Sequence, residues 1–154
     1  MVFSQEMFIF VAKNYAETTK KLMKKQKIII ERELKSNSEN IIWALISTEG
    51  GLAKWVADDV TETEKQITFR WGEEWSHHEI HVANIIKKVK NDHLRLRWED
   101  ETDDDAYLEF RMEKNDLTND YMLYVTDFAL PEDLDSLRAM WDQNFEQLRQ
   151  SSGL

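Results

Sequence analysis

PEDLDSLRAMWDQNFEQLRQ, Pro131–Gln150, sets Leu134, Leu137, Trp141, Phe145 and Leu148 at three- and four-residue spacing. That spacing gathers them into one apolar stripe on an otherwise acidic and polar helix. Pro131, the chain's single proline, stands at the first helical position, and Glu132, Asp133 and Asp135 follow where the helix dipole favours negative charge. Leu130 is a poor N-cap, so help with capping is expected from nearby Asp127. A stripe this large needs a wide apolar surface to lie on. The segment before it supplies one, because it reads as a run of half-buried strands joined by short turns.

Strand patterning begins at Lys27–Lys35, where Ile28, Ile30 and Leu34 alternate with Glu31 and Glu33. Arg32 then falls on the inner face. SNSENIIWALIS follows, with Ser36 or Ser38 as N-cap and Ser36 and Glu39 at capping-box spacing, leading to a short helix with Ile42, Leu45 and Ile46 inward. Thr48 opens a second short helix that runs through Gly50-Gly51 to Trp55. Beyond Asp59 the pattern is strand-like: ITFRW aligns Ile67, Phe69 and Trp71, and a turn at Gly72-Glu73-Glu74 precedes a strand of about His77–Lys88. Ile80, Val82 and Ile86 are read as that strand's inward set, which also places Asn84 inside. HLRLRW alternates most clearly, with Leu94, Leu96 and Trp98 opposite Arg95 and Arg97. AYLEFRM sets Leu108, Phe110 and Met112 against Glu109 and Arg111, and YMLYVTDFA leads into the final helix.

The 154 residues fit one domain with a sizeable core. The absence of cysteine removes disulfides, thiolate nucleophiles and thiolate metal sites, and fits a reducing, cytoplasmic setting. A formal charge of −10 argues against nucleic acid and anionic membrane surfaces as partners. No apolar run approaches the roughly 20 residues needed to span a bilayer. The first 26 residues differ from the rest: Phe3, Met7, Val11, Tyr15 and Leu22 can share a helical face, and Lys20, Lys21, Lys24 and Lys25 suit a helix C-terminus. They read as a peripheral helix, with Met23 as an alternative start. Ser151–Leu154 is expected to fray.

This order of elements, with SENIIWALISTEGGLAKWVADDV, ITFRW, LRLRWEDE, YLEFRM and VTDFALPEDLDSLRAMWDQNFEQL, resembles the START-like, Bet v-type helix-grip superfamily. More narrowly it resembles a bacterial group related to the activators of the heat-shock-protein-90 ATPase. The similarity runs from Lys27 to Leu148 and is most specific at Gly51-Leu52-x-x-Trp55-x-Ala57-Asp58 and Thr126-Asp127-Phe128. It implies an α+β fold: a strand, two short helices, then five or six antiparallel strands curled around a long C-terminal helix. A cavity between sheet and helix is implied as well, of the kind that holds lipids, sterols, hormones or polyketides elsewhere in the superfamily. The group brings no diagnostic catalytic motif to this chain. Residues 1–26 have no counterpart in it.

Several residues are candidates for a site. Arg32 is the candidate polar anchor in the cavity, against the alternative of a mouth position or an ion pair with Asp58, Asp59 or Asp127. Tyr124 offers a hydroxyl, and Trp55, Phe69, Trp71, Trp98, Phe110, Trp141 and Phe145 are apolar residues that either line a pocket or fill a core. His77, Glu79 and His81 alternate as a zinc-type set would, but no fourth ligand accompanies them and their register reads as the solvated face. Glu99–Asp105 lacks calcium-loop spacing and reads as a charged hairpin tip or a docking surface for a basic protein. With no nucleophile elbow, P-loop or Rossmann glycine pattern, no cofactor is implied, and the expectation is a non-enzymatic domain for a hydrophobic small molecule or lipid.

Overall fold

The protein is described by a computed structural model covering residues 5–22 and 24–154, with backbone alone for 15–22. Helix α1 (Gln5–Leu22) precedes strand β1 (Gln26–Glu33), and two short helices follow, α2 (Glu39–Ser47) and α3 (Glu49–Leu52). Six strands come next: β2 (Asp59–Glu62), β3 (Gln66–Trp71), β4 (Glu79–Val89), β5 (His93–Trp98), β6 (Leu108–Lys114) and β7 (Tyr121–Ala129). A 3-10 turn at Pro131–Asp133 leads into α4 (Leu134–Ser152). The strands form one antiparallel sheet in the order β1-β7-β6-β5-β4-β3-β2, curled around α4, which packs against β1 and β7. This is the helix-grip arrangement that the family resemblance implies.

Local chemistry sets the element boundaries. Ser38, rather than Ser36, caps α2 by accepting the Ile41 N–H at 3.5 Å. Thr48 caps α3 by accepting the Gly51 N–H at 3.0 Å. Gly51 itself lies against the α2 backbone so closely that a Cβ there would meet the Ala44 carbonyl oxygen at 1.8 Å. The two helices can therefore nest only with glycine at this position. Trp55 completes the plug: its indole N–H donates to the Leu45 carbonyl at 2.9 Å, and its ring meets Phe110, Phe145 and Trp141.

The inner face of the sheet carries Ile28, Ile30, Ile67, Phe69, Leu94, Leu96, Phe110, Leu123 and Val125, all buried. From α4, Trp141, Phe145 and Leu148 are buried against it, with Leu134 and Leu137 half-buried. Buried side chains of this size each contribute about 1.5–3 kcal/mol of transfer free energy, so the α4 stripe anchors the helix.

Strand β4 corrects the sequence reading. Phe69 pairs with His81 and Ile67 with Ala83, so Glu79, His81 and Ala83 face inward and Ile80 is 54% exposed. Asn84 is on the outer face, where it accepts a hydrogen bond from Gln66. Pairing shifts between Ile85 and Lys87, leaving Ile86 as the extra, exposed residue of a bulge. Beyond it the alternation is reversed, and Lys88 turns to Glu62 at 2.7 Å and the Ser47 carbonyl at 3.4 Å. Apolar residues sit on both faces of β4, so hydrophobicity selected the wrong one.

The C-terminal end of the chain also differs from expectation. Instead of fraying, α4 continues to Ser152, Gly153 closes it in the left-handed region (φ 77°), and the Leu154 carbonyl accepts from the Lys35 N–H at 3.3 Å. In α1, Met7, Phe8, Ile9, Phe10 and Val11 are all exposed. Phe3, Met23 and the side chains of Tyr15 and Leu22 lie outside the described residues.

Candidate functional site

Helices α2 and α3 fill one end of the curled sheet; the other end holds a cavity of about 690 Å³. Its walls come from the strand ends that meet there: Trp71 of β3, Glu79 and His81 of β4, Trp98 of β5, Leu108 of β6 and Asp127 and Phe128 near the end of β7. Helix α4 contributes Leu137, Met140, Trp141 and Asn144, and the β5–β6 loop contributes Asp100, Glu101, Thr102, Ala106 and Tyr107. The size suits a small molecule, and the lining combines aromatic and aliphatic side chains with polar and charged ones.

Asp127 is a deeply buried carboxyl in this lining, 9% exposed, and the Glu101 side chain, paired with Lys25, is 6% exposed. Its Oδ2 accepts the Trp141 indole N–H at 2.9 Å and its Oδ1 accepts the Phe128 N–H at 2.8 Å. Burial pushes its pKa up to about 6, against the lowering effect of those two donors and of Lys25. The 3-10 turn at Pro131 has no side-chain cap, so Asp127 holds Trp141 in place rather than capping the helix. A signal for this was present: Asp127 continues the inward register of Tyr121, Leu123 and Val125, where an acidic residue is out of keeping.

Around Trp71 and Trp98 the rings form a contiguous aromatic wall. Their centroids are 6.5 Å apart, and the His81 ring meets them edge-on at 5.6 and 5.9 Å. Glu79 lies beside His81, with Oε2 3.6 Å from Nε2, and its side chain is 69% exposed at the rim. His77 precedes β4 in a bend, so the alternating His77-Glu79-His81 set does not occupy a single strand.

The acidic loop is organised around two cations. Lys25 Nζ pairs with Glu101 at 2.7 Å, and the Lys25 N–H donates to Asp103 Oδ2 at 2.9 Å. Arg97 donates to the Ala106 carbonyl at 2.9 Å and the Asp104 carbonyl at 3.1 Å. N–H groups of Asp105 and Lys25 hold the Asp103 carboxyl below its ordinary range. The loop thus forms a structured side of the cavity.

The aromatic candidates divide between wall and core. Trp71, Trp98 and Trp141 line the cavity, whereas Trp55, Phe69, Phe110 and Phe145 are buried in the core beside it. Arg32 is outside: it is half-exposed, pairs with Asp142 of α4 at 3.3 Å and lies over the Phe145 ring at 5.1 Å. Tyr124 is on the outer face of β7, in register with Glu31 and Arg111. The polar groups that the strands bring into the lining are instead Asp127, His81 and Glu79, the last two hidden by the misread register of β4.

A family model described as START-like superfamily domain matches residues 22–154. The chain belongs to the START-like superfamily. Among solved structures, a Bacteroides fragilis protein studied by solution NMR is 38% identical, with 83% of this chain and 91% of that one covered and a TM-score of 0.56. The Aha1 dimer from Colwellia psychrerythraea matches at 14% identity, 83% and 98% coverage and a TM-score of 0.62. The AHSA1-like protein from Aeromonas hydrophila matches at 9% identity, 83% and 94% coverage and a TM-score of 0.60. At that identity the last two show the fold alone. No curated protein matches the chain. Among the described residues no helix is long and apolar enough to cross a membrane.

Proposed function

We propose that this START-like chain is a non-enzymatic domain that holds a small apolar or amphipathic ligand between the sheet and α4. The cavity of about 690 Å³, walled by Trp71, Trp98, Tyr107, Leu137 and Trp141, is the observation that carries this reading. Burial of the ligand's apolar surface would supply the driving force, and the polar groups of the lining would orient it. Docking of a basic protein through Glu99–Asp105, in the manner of a chaperone activator, has less support. Glu101 and Asp103 already hold Lys25, which leaves fewer of that loop's carboxylates for a partner.

Native mass spectrometry of the protein from its own cells tests the proposal. A ligand-sized added mass, lost on denaturation, is expected, together with quenching or blue-shift of tryptophan emission when the ligand is returned to the stripped protein. A bare polypeptide mass and no displaceable binding of an environment-sensitive apolar dye would overturn it.

A further inference from the structure

The charge of the cavity lining is one-sided. Its carboxylates are Glu79, Asp100, Glu101 and Asp127, and its lysine is Lys25. Lys25 Nζ sits 2.7 Å from Glu101, so those two neutralise each other. Asp127 remains in the interior, and Glu79 and Asp100 remain exposed at the rim. Among the described lining residues no lysine or arginine is left to meet an anion; His81, the lining imidazole, faces Glu79.

The aromatic wall acts in the same direction. Indole faces carry negative electrostatic potential and attract cations, most strongly where water is excluded. Tyr107 already takes the Arg95 guanidinium at 4.1 Å over its ring. Trp71 and Trp98 have no such partner among the described residues, and they are flanked by Glu79 and Asp100. At Asp127 the carboxylate accepts two N–H donors, which leaves acceptor capacity for a donor from the cavity.

Resting on the ligand-binding reading above, we infer that the cavity selects an organic cation. The ligand class is an amine or quaternary ammonium on an apolar tail, its head held by the Trp71 and Trp98 faces and the Glu79, Asp100 and Asp127 carboxylates. A fatty carboxylate of equal length would bring a like charge into the same low-dielectric space, where repulsion is poorly screened. Neutral amphiphiles gain the apolar contact alone.

Three probes built on an eight-carbon chain, the carboxyl carbon of octanoate included, separate these cases: octyltrimethylammonium, octyl glucoside and octanoate, each titrated below its micelle concentration with tryptophan emission and calorimetry as readouts. The cation is expected to bind tightest, by about tenfold or more over the glucoside, with octanoate weakest. The double variant E79Q/D100N changes only exposed rim residues and is expected to weaken the cation by about threefold or more while leaving the glucoside unchanged. Octanoate or the glucoside matching the cation would overturn the charge selectivity and leave the cavity reading standing. So would cation affinity that is indifferent to the double variant. Failure of all three probes to bind would overturn both.

Discussion

Asp127→Asn changes how stability depends on pH, and the size of the effect follows from the structure. Folding moves this carboxyl from 3.8 to about 6, chiefly by burial, so the folded chain binds its proton more tightly than the unfolded chain does. With the unfolded state binding fewer protons over that interval, this group makes stability fall as pH rises from the unfolded value through the folded one. Above the folded value, its ionised form carries about 3 kcal/mol of unfavourable folding free energy. Asparagine does not titrate, but it has one carbonyl oxygen where Asp127 offers an oxygen each to Phe128 and Trp141. One buried donor then loses its partner, at about 1–3 kcal/mol. The two effects roughly offset near neutral pH, so the informative quantity is the difference between variant and wild type across pH. Urea unfolding followed by tryptophan emission from about pH 4.5 to 7.5 should show the variant gaining about 2 kcal/mol relative to wild type. Other titrating groups largely cancel in that difference. Lys25 and Glu101 act on Asp127 with opposite sign and are themselves paired at 2.7 Å, so they leave the direction unchanged. A difference that stays flat within about 0.5 kcal/mol would refute a perturbed, buried Asp127.

Four further substitutions have defined outcomes. Gly51→Ala places a Cβ on the Ala44 carbonyl and should lower stability by about 2 kcal/mol or more in urea titration, whereas Gly50→Ala, with open space around it, should be neutral or gain about 0.5–1 kcal/mol. Equal responses at the two glycines would dismiss the close approach of α3 to α2. Trp55→Phe keeps most of the ring but orphans the buried Leu45 carbonyl, for an expected loss of about 1–3 kcal/mol in the same titration. Arg32→Ala removes a half-exposed ion pair, so the loss should be under about 1 kcal/mol, and calorimetric affinity for any cavity ligand should be unchanged because Arg32 is not in the lining.

Legibility varied along the chain for physical reasons. The α4 stripe, the β5 alternation and the starts of the two short helices, at Ser36 or Ser38 and at Thr48, were readable because each is local: a helical period, a strand period, a side chain within reach of a nearby N–H. Strand β4 was not. Its outer face carries Ile80 and Val82, its inner face His81 and Ala83, and the bulge at Ile86 reverses the alternation midway. Arg32 illustrates a different gap: its inward register was readable, but its distance from the cavity depends on where Asp142 of α4 crosses β1.

Periodicity, capping chemistry and turn residues are properties of neighbours along the chain, and from them the element order, the antiparallel sheet and the long terminal helix all follow. The cavity is a property of strand ends far apart in sequence. Trp71, His81, Trp98, Asp127 and Trp141 meet only after the sheet has curled and α4 has crossed it. Asp127 was visible as a residue close to the final helix; its burial, its bond to Trp141 and its raised pKa arise from groups that no local pattern brings together.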